Sequence, residues 1–378
     1  MTWKIPLFKT HSEKSDIEAI TKVLVRKTYW AVGPEIKEFE EKISSFVGKK
    51  YGLAFNSGTS ALHTLLLAHD VKGKEVIVPS FTFISTSNAV ILAGGIPVFA
   101  ESEDDTLGLD IDDVISKINE NTAAVIPLHY GGFPSRDIIK LKEVCKDKNI
   151  LLIEDSAESL GSHIDGEMVG NFGDSSIFSF CQNKVLATGE GGILLTDSEE
   201  IYEKAKLIRS HGRFEDGNDY FSSVGDNDYI QIGYNYRMPS IIAALGISQF
   251  GNMNTVIELR RKNSHHLIEG IKHIDKIKLM IEYNSHFQVY QMFTIILQDN
   301  KIRDGLQKYL TEKGIMTKVY FNPVHLKTIY VNNYGCKEGD LPFTEALSGR
   351  VLTLPMYPDL NIEDLDLMIK EIKNYFGD

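Results

Sequence analysis

Between about residues 50 and 200, short apolar and β-branched runs alternate with segments of helical period. No other feature restricts the fold as much, because strand, helix and strand in repeated succession mark βαβ units around a parallel sheet. The strand-like runs are 52–55, 75–78, 97–99, 123–127, 150–153, 177–180 and 192–195. They are apolar continuously rather than alternately, so strands covered on both faces are expected. Helices are expected between them, over 60–69, 86–93, 111–118 and 137–146.

After Gly233 the pattern changes. Residues 238–250 and 253–274 read as two helices, followed by strands near 287–297 and 317–320, a helix near 302–312 and a closing helix near 362–376. The 378 residues are enough for about two to three domains. The expected division is a large domain over 1–247 and a smaller α/β domain over 248–378. Residues 214–228, rich in Gly, Asp, Asn and Ser, read as an exposed loop.

Composition narrows the function classes. Forty Lys and Arg stand against 52 Asp and Glu, a formal net charge of −12, which argues against a general binder of nucleic acid or anionic membrane. An anionic ligand would need basic groups supplied locally. Cys145, Cys181 and Cys336 form no CxxC pair and no zinc spacing, so no metal site is expected and a reducing, cytoplasmic compartment is. Residues 1–6 contain no apolar leader core, and the weakly polar run 89–100 is broken by glycines and Pro97; neither a secretory leader nor a membrane span is expected.

Four features stand where open α/β sheets build sites, at strand carboxyl ends and the helix starts that follow. Asn56-Ser57-Gly58-Thr59-Ser60-Ala61-Leu62 leads from a strand into a helix, either as a plain N-cap or as a phosphate cradle; no GxxxxGK[ST] is present. Ile153-Glu154-Asp155-Ser156-Ala157-Glu158 ends an apolar strand in acids, which cap the next turn, hold a proton on a heterocyclic nitrogen or bind a metal, the last disfavoured because no His or Cys lies beside them at metal-ligand spacing. Ser179-Phe180-Cys181-Gln182-Asn183-Lys184, followed by Thr188-Gly189-Glu190-Gly191-Gly192, places one lysine on a polar turn, either solvated or activated as a nucleophile. Gly233-Tyr234-Asn235-Tyr236-Arg237-Met238 suits ligand contacts or subunit packing alike. Phe81 and Phe83 are either core or an aromatic face for a flat ligand.

Taken together, these motifs in this order resemble pyridoxal-phosphate enzymes of fold type I, the aspartate-aminotransferase-like α/β fold with a mainly parallel central sheet and a smaller α/β C-terminal domain. More closely, the chain resembles the DegT/DnrJ/EryC1/StrS nucleotide-sugar aminotransferases, from about Gly33 to Pro358. The resemblance implies pyridoxal 5'-phosphate bound through Lys184, which would also move the proton in catalysis, and Asp155 keeping the pyridine nitrogen protonated. It implies Phe83 stacked on the ring, Gly58, Thr59 and Ser179 on the phosphate, and Glu158 near the 3-hydroxyl. Asn235 would come from a partner subunit, hence a homodimer with composite sites. L-glutamate would donate the amino group to a keto group, commonly of a 4-keto-6-deoxy sugar, on a nucleotide. Arg237 and the segment Tyr320-Phe321-Asn322-Pro323-Val324-His325 are the substrate-side candidates, His325 alternatively being structural. Two relatives of this reading remain: a sugar dehydratase, in which histidine would replace Lys184, and a cofactor-binding regulator without turnover. A nicotinamide dehydrogenase is disfavoured, since no GxGxxG follows a strand.

Overall fold

In the computed structural model, which describes residues 3–213 and 228–377, the apolar runs become strands with both faces shielded. The first part contains α1 (Lys14–Arg26), α2 (Pro34–Val47), β1 (Tyr51–Phe55), α3 (Gly58–Ala68), β2 (Glu75–Pro79), α4 (Ser85–Leu92), β3 (Ile96–Ala100), α5 (Ile111–Lys117) and β4 (Thr122–Val125). It continues through α6 (Ile138–Asp147), β5 (Leu151–Asp155), a short hairpin β6 (His163–Ile164) and β7 (Glu167–Met168), β8 (Ser175–Ser179), β9 (Gly192–Thr196) and α7 (Glu199–Arg209). Beyond the expected loop at 214–228, which apart from Asp228 lies outside the described residues, come α8 (Ser240–Ile271), β10 (Ile277–Leu279), β11 (His286–Phe287) and β12 (Phe293–Leu297). The last elements are α9 (Asn300–Glu312), α10 (Thr328–Tyr334), α11 (Pro342–Arg350), β13 (Val351–Leu354) and α12 (Ile362–Phe376).

Seven strands form the main sheet in the order β1-β9-β8-β5-β4-β2-β3. All run parallel except β9, which is antiparallel to both neighbours, β1 and β8. Alternation within each run explains the unbroken hydrophobicity. Val76 and Val78 join one core with Leu62, Leu65 and Ile153, while Ile77 joins another with Val125, Leu141 and Leu152. On β9, Leu194 faces the first of these cores, and Ile193 and Leu195 face a third that includes Phe39 of α2 and Met253 of α8. Each such fully buried aliphatic side chain contributes about 2 kcal/mol. Within this sheet the edge strand β3 is half-exposed along most of its length, whereas the other edge strand, β1, is buried from Gly52 onward.

Helix starts follow the polar residues in the sequence. Ser57, Asp110, Ser198, Asp299 and Asn361 each accept a backbone N–H of the first turn of α3, α5, α7, α9 and α12, caps that contribute about 1 kcal/mol apiece.

The two helices expected over 238–274 are one, α8. Gly251, in the gap between the two expected helices, faces open space, and its cost of about 1 kcal/mol against alanine is outweighed by packing along the whole helix. Residue 247, the expected domain boundary, lies inside this helix. Ala243, Met253, Val256 and Ile257 belong to a core of the large lobe, while Leu267 and Ile271 belong to the core of the small lobe, beside Met368 and Ile372 of α12. α8 is thus a spine common to both lobes. The small lobe is built on the antiparallel sheet β10-β12-β13. The expected strand at 317–320 is reduced to a bridge between Lys318 and Thr353 beside β13. Among the described residues no helix is long and apolar enough to cross a membrane.

Candidate active site

The parallel strands deliver their carboxyl ends to one edge of the sheet, and a cavity of about 410 Å³ opens there. At the end of β1 the chain turns into α3. Ser57 Oγ accepts the Ser60 N–H at 3.1 Å and Ser60 Oγ donates to Asn56 Oδ1 at 2.6 Å, so the turn is fixed by its own side chains. Gly58 is pressed against β8: a Cβ there would lie 3.1 Å from Ser179 Cβ. Gly58, Thr59 and Ser179 line the cavity, where the first-turn N–H groups and the helix dipole favour an anion.

β5 ends in two acids that face opposite ways. Glu154 is fully buried and accepts from His129 Nε2 at 3.0 Å and from the Gly170 and Gly173 N–H groups, which makes it part of the framework. Asp155 turns to the cavity and is only 4% exposed. Thr86 Oγ1 donates to its Oδ2 at 2.8 Å and the Ala157 N–H to its Oδ1 at 3.2 Å. Burial pushes the carboxyl above the usual carboxylate range; the bonds from Thr86 and Ala157 oppose this, Glu158 adds to it, and Lys184 opposes it more weakly. A buried acid with neutral donors only is a good host for a protonated ring nitrogen, whose positive charge would return it to the ionised form.

Lys184 sits on the hairpin between β8 and β9. The hairpin is closed by Phe180 N–H to Gly191 O at 2.9 Å, Gln182 N–H to Gly189 O at 3.0 Å and Thr188 N–H to Phe180 O at 2.8 Å. Thr10 Oγ1 donates to Gln182 O at 2.8 Å and Gln291 Nε2 to Asn183 O at 2.5 Å, so both the N-terminal segment and the small lobe hold the lysine's neighbours. The Lys184 side chain is 12% exposed, and its Nζ lies 3.4 Å from Glu158 Oε1. Glu158 Oε2 in turn accepts the Gly131 N–H at 2.9 Å.

The two phenylalanines of the β2–α4 loop separate cleanly. Phe81 is fully buried against Tyr130 and Phe321, whereas Phe83 is 60% exposed on the cavity wall. The small lobe closes the opposite side with Lys318, Tyr320 and Phe321, and Tyr130 Oη donates to Tyr320 O at 2.5 Å.

The cavity therefore brings together Gly58, Thr59, Phe83, Asp155, Glu158, Ser179, Lys184 and Tyr320. Asn235, Arg237 and His325 do not line it. Asn235 is exposed, with its carbonyl 3.4 Å from Asn56 Nδ2. Arg237 Nη1 donates to Ser210 Oγ at 2.9 Å beside the end of β1. His325 is buried, with Nδ1 2.6 Å from Ser80 Oγ and Nε2 3.1 Å from Glu345 Oε1. Phe321, within the candidate segment 320–325, lines the cavity beside Tyr320, whereas Thr86, Lys318 and Phe8 are lining residues outside every candidate motif. Thr86 had a signal, since it follows the carboxyl end of β2 at the start of a helix; Lys318 and Phe8 had none, being brought in by tertiary closure. Among the described residues, no group of three or more His, Cys, Asp or Glu could hold a metal ion.

The profile of the DegT/DnrJ/EryC1/StrS aminotransferase family matches residues 10–373. GDP-perosamine synthase of Escherichia coli O157:H7 is 31% identical over 375 residues, 99% of each chain, and that of Vibrio cholerae 33% over 348 residues, 91% of this chain and 92% of the other. The solved structure of Helicobacter pylori PseC, an aminotransferase involved in pseudoaminic acid biosynthesis, superposes with a TM-score of 0.91 at 26% identity over 99% of both chains. With likeness of this extent in sequence and in fold, on top of a lysine, an acid and a helix start converging at one sheet edge, the chain belongs to the DegT/DnrJ/EryC1/StrS aminotransferase family.

Proposed function

We propose that the chain transfers the amino group of L-glutamate to the keto group of a nucleotide-linked sugar, of the 4-keto-6-deoxy class, for surface polysaccharide or other amino-sugar synthesis. The observation that carries this reading is the convergence of Lys184, Asp155 and the α3 N-terminus on one cavity. The GDP-perosamine synthases and PseC, named for amino-sugar products, support the sugar side of it.

The cofactor of this family is pyridoxal 5'-phosphate, which when bound supplies a carbonyl that condenses with amines and a ring that takes up an electron pair. In this chain the α3 N-terminus with Gly58, Thr59 and Ser179 would hold its phosphate. Phe83 would cover one ring face. Asp155, oriented by Thr86 and the Ala157 N–H, would keep the ring nitrogen protonated. Lys184 would attach the cofactor and then, released, carry a proton between substrate and cofactor carbons. Glu158 would steady the Lys184 amine through the contact at 3.4 Å and reach the ring hydroxyl. Tyr320 would meet the sugar from the small lobe, with His325 acting through the segment it fixes.

Asn235 and Arg237 would serve the site of a second copy in a homodimer. The surface beside them supports this, as Tyr229, Ile230, Ile232 and Tyr234 expose large apolar groups.

The test is the absorption spectrum of protein supplied with pyridoxal phosphate, before and after excess L-glutamate. A yellow band bleached by glutamate, regenerated by a nucleotide-linked 4-keto-6-deoxy sugar, is the expected result. A band indifferent to glutamate would overturn the donor, and one bleached by glutamate but indifferent to every keto-sugar nucleotide would overturn the acceptor.

A further inference from the structure

The cavity wall carries a cation that the transamination chemistry does not use. Lys318 projects from the small lobe, where its backbone is fixed by an N–H to Thr353 O bond at 3.1 Å and a Thr353 N–H to Lys318 O bond at 2.8 Å. Its Nζ lies 4.5 Å from the centre of the Tyr320 ring and 3.4 Å from the Tyr320 hydroxyl. Among the described residues it has no carboxylate partner, whereas the other lysine of the cavity, Lys184, is held by Glu158. Three carboxylates, Asp155, Glu158 and Glu190, line the same space. In a chain of net charge −12, an anionic substrate entering this cavity meets repulsion unless a cation offsets it locally.

Exposure decides which anion that is. Lys184 is 12% exposed at the floor, while Lys318 is exposed at the rim. An amino acid whose amine must reach the floor is short and keeps its carboxylates inside. A sugar nucleotide whose keto carbon reaches the same point has to run its diphosphate out past the rim. We infer that Lys318 receives the diphosphate of the sugar nucleotide, with the Tyr320 ring holding the ammonium in place. This rests on the nucleotide-sugar reading above and deepens it: the small lobe selects the substrate by charge, independently of the base. A lysine acts there as a point charge with three donors, which suits a diphosphate that can turn between several oxygens.

The experiment uses glutamate-treated holoenzyme and measures binding of UDP, GDP and dTDP by calorimetry, in wild type, Lys318→Ala and Lys318→Arg. The rate of glutamate bleaching is followed in the same three proteins. At least one diphosphate should bind wild type, with affinity about tenfold weaker in Lys318→Ala and largely restored in Lys318→Arg, while glutamate bleaching is unchanged. Equal diphosphate affinity in wild type and Lys318→Ala would overturn the inference and leave the nucleotide-sugar reading standing. So would slowed glutamate bleaching in Lys318→Ala with unchanged diphosphate affinity, which would place the donor carboxylate on Lys318. Absence of binding of any diphosphate to wild type would instead overturn the nucleotide-sugar reading, and the inference with it.

Discussion

Both edges of the seven-stranded sheet carry clefts, and the wider one lies at the amino edge, about 880 Å³ against about 410 Å³ at the carboxyl edge. At the amino edge the buried Lys49 and His69 are paired within the framework. Lys49 Nζ donates to Gly173 O and to Asp197, each at 2.8 Å, and His69, whose imidazole burial pushes down to about 4, lies 3.3 Å from Ser175 Oγ. At the carboxyl edge the start of α3, the buried Asp155 and Lys184 all point into one space, and Asp155 is left without a cation of its own apart from the distant pull of Lys184. Chemical capacity therefore follows convergence and incomplete pairing, not volume.

The contrast is broken if substitutions at the two edges have similar consequences. Lys184→Ala should remove turnover by at least about a thousandfold and abolish the yellow band on adding pyridoxal phosphate, with the thermal unfolding profile retained. Asp155→Asn should lower turnover by about a hundredfold or more while raising the melting temperature of the cofactor-free protein by about 2 °C near pH 7. The gain has a sign fixed by the raised carboxyl: stability belonging to its neutral form is complete below the unfolded value and is lost as pH rises through the folded one. The substituted amide is neutral throughout, so the variant's advantage over wild type should shrink as pH falls. Thr86 Oγ1 can accept from the new amide as readily as it now donates. A scan of melting temperature against pH on both apo proteins checks this.

Lys49→Met, at the amino edge, should cost about 1–2 kcal/mol of stability, because it strands the Gly173 carbonyl, and should leave kcat and KM within about twofold of wild type. Denaturant unfolding beside steady-state kinetics separates the two effects. The smallest difference is in thiol reactivity. Cys145, at the amino-edge cleft, has its thiol pushed up to about 12 by burial, while Cys181 lines the carboxyl-edge cavity. Iodoacetamide should alkylate Cys181 well before Cys145, and pyridoxal phosphate should slow only the former, as peptide mass mapping would record.

Much of the large sheet could be read in advance because each strand is a short apolar run ended by turn residues, as at Glu75 to Pro79 and Leu151 to Asp155. The reversed direction of β9 could not, since an apolar run buried on both faces looks the same in either sense. Asp155 and Lys184 were legible through their place after strands. The site's other half was legible only in part: Tyr320 and Phe321 belong to a marked segment, but Lys318 reaches the cavity only because the small lobe folds over the sheet, anchored where the Val324 N–H meets Ser80 O at 2.8 Å. His325 shows the converse, a residue marked by its sequence neighbourhood whose ring nitrogens tie Ser80 to Glu345. The continuity of α8 across Gly251 was hidden because local propensity suggests a stop and only the packed lobes on either side overrule it.

The pairing of β1 with β9 sets an order of assembly. Tyr51 stands opposite Thr196 and Phe55 opposite Gly192, so the first strand to be synthesised waits for the last strand of its sheet before it has a neighbour. On a ribosome, α3 would emerge early, yet the surface that seats its first turn, Ser179 beside Gly192, would not exist until β9 had been translated. Nascent chains ending short of β9 should carry the residues for an anion but no seat for it, and cofactor loading would become a marker that the sheet has closed.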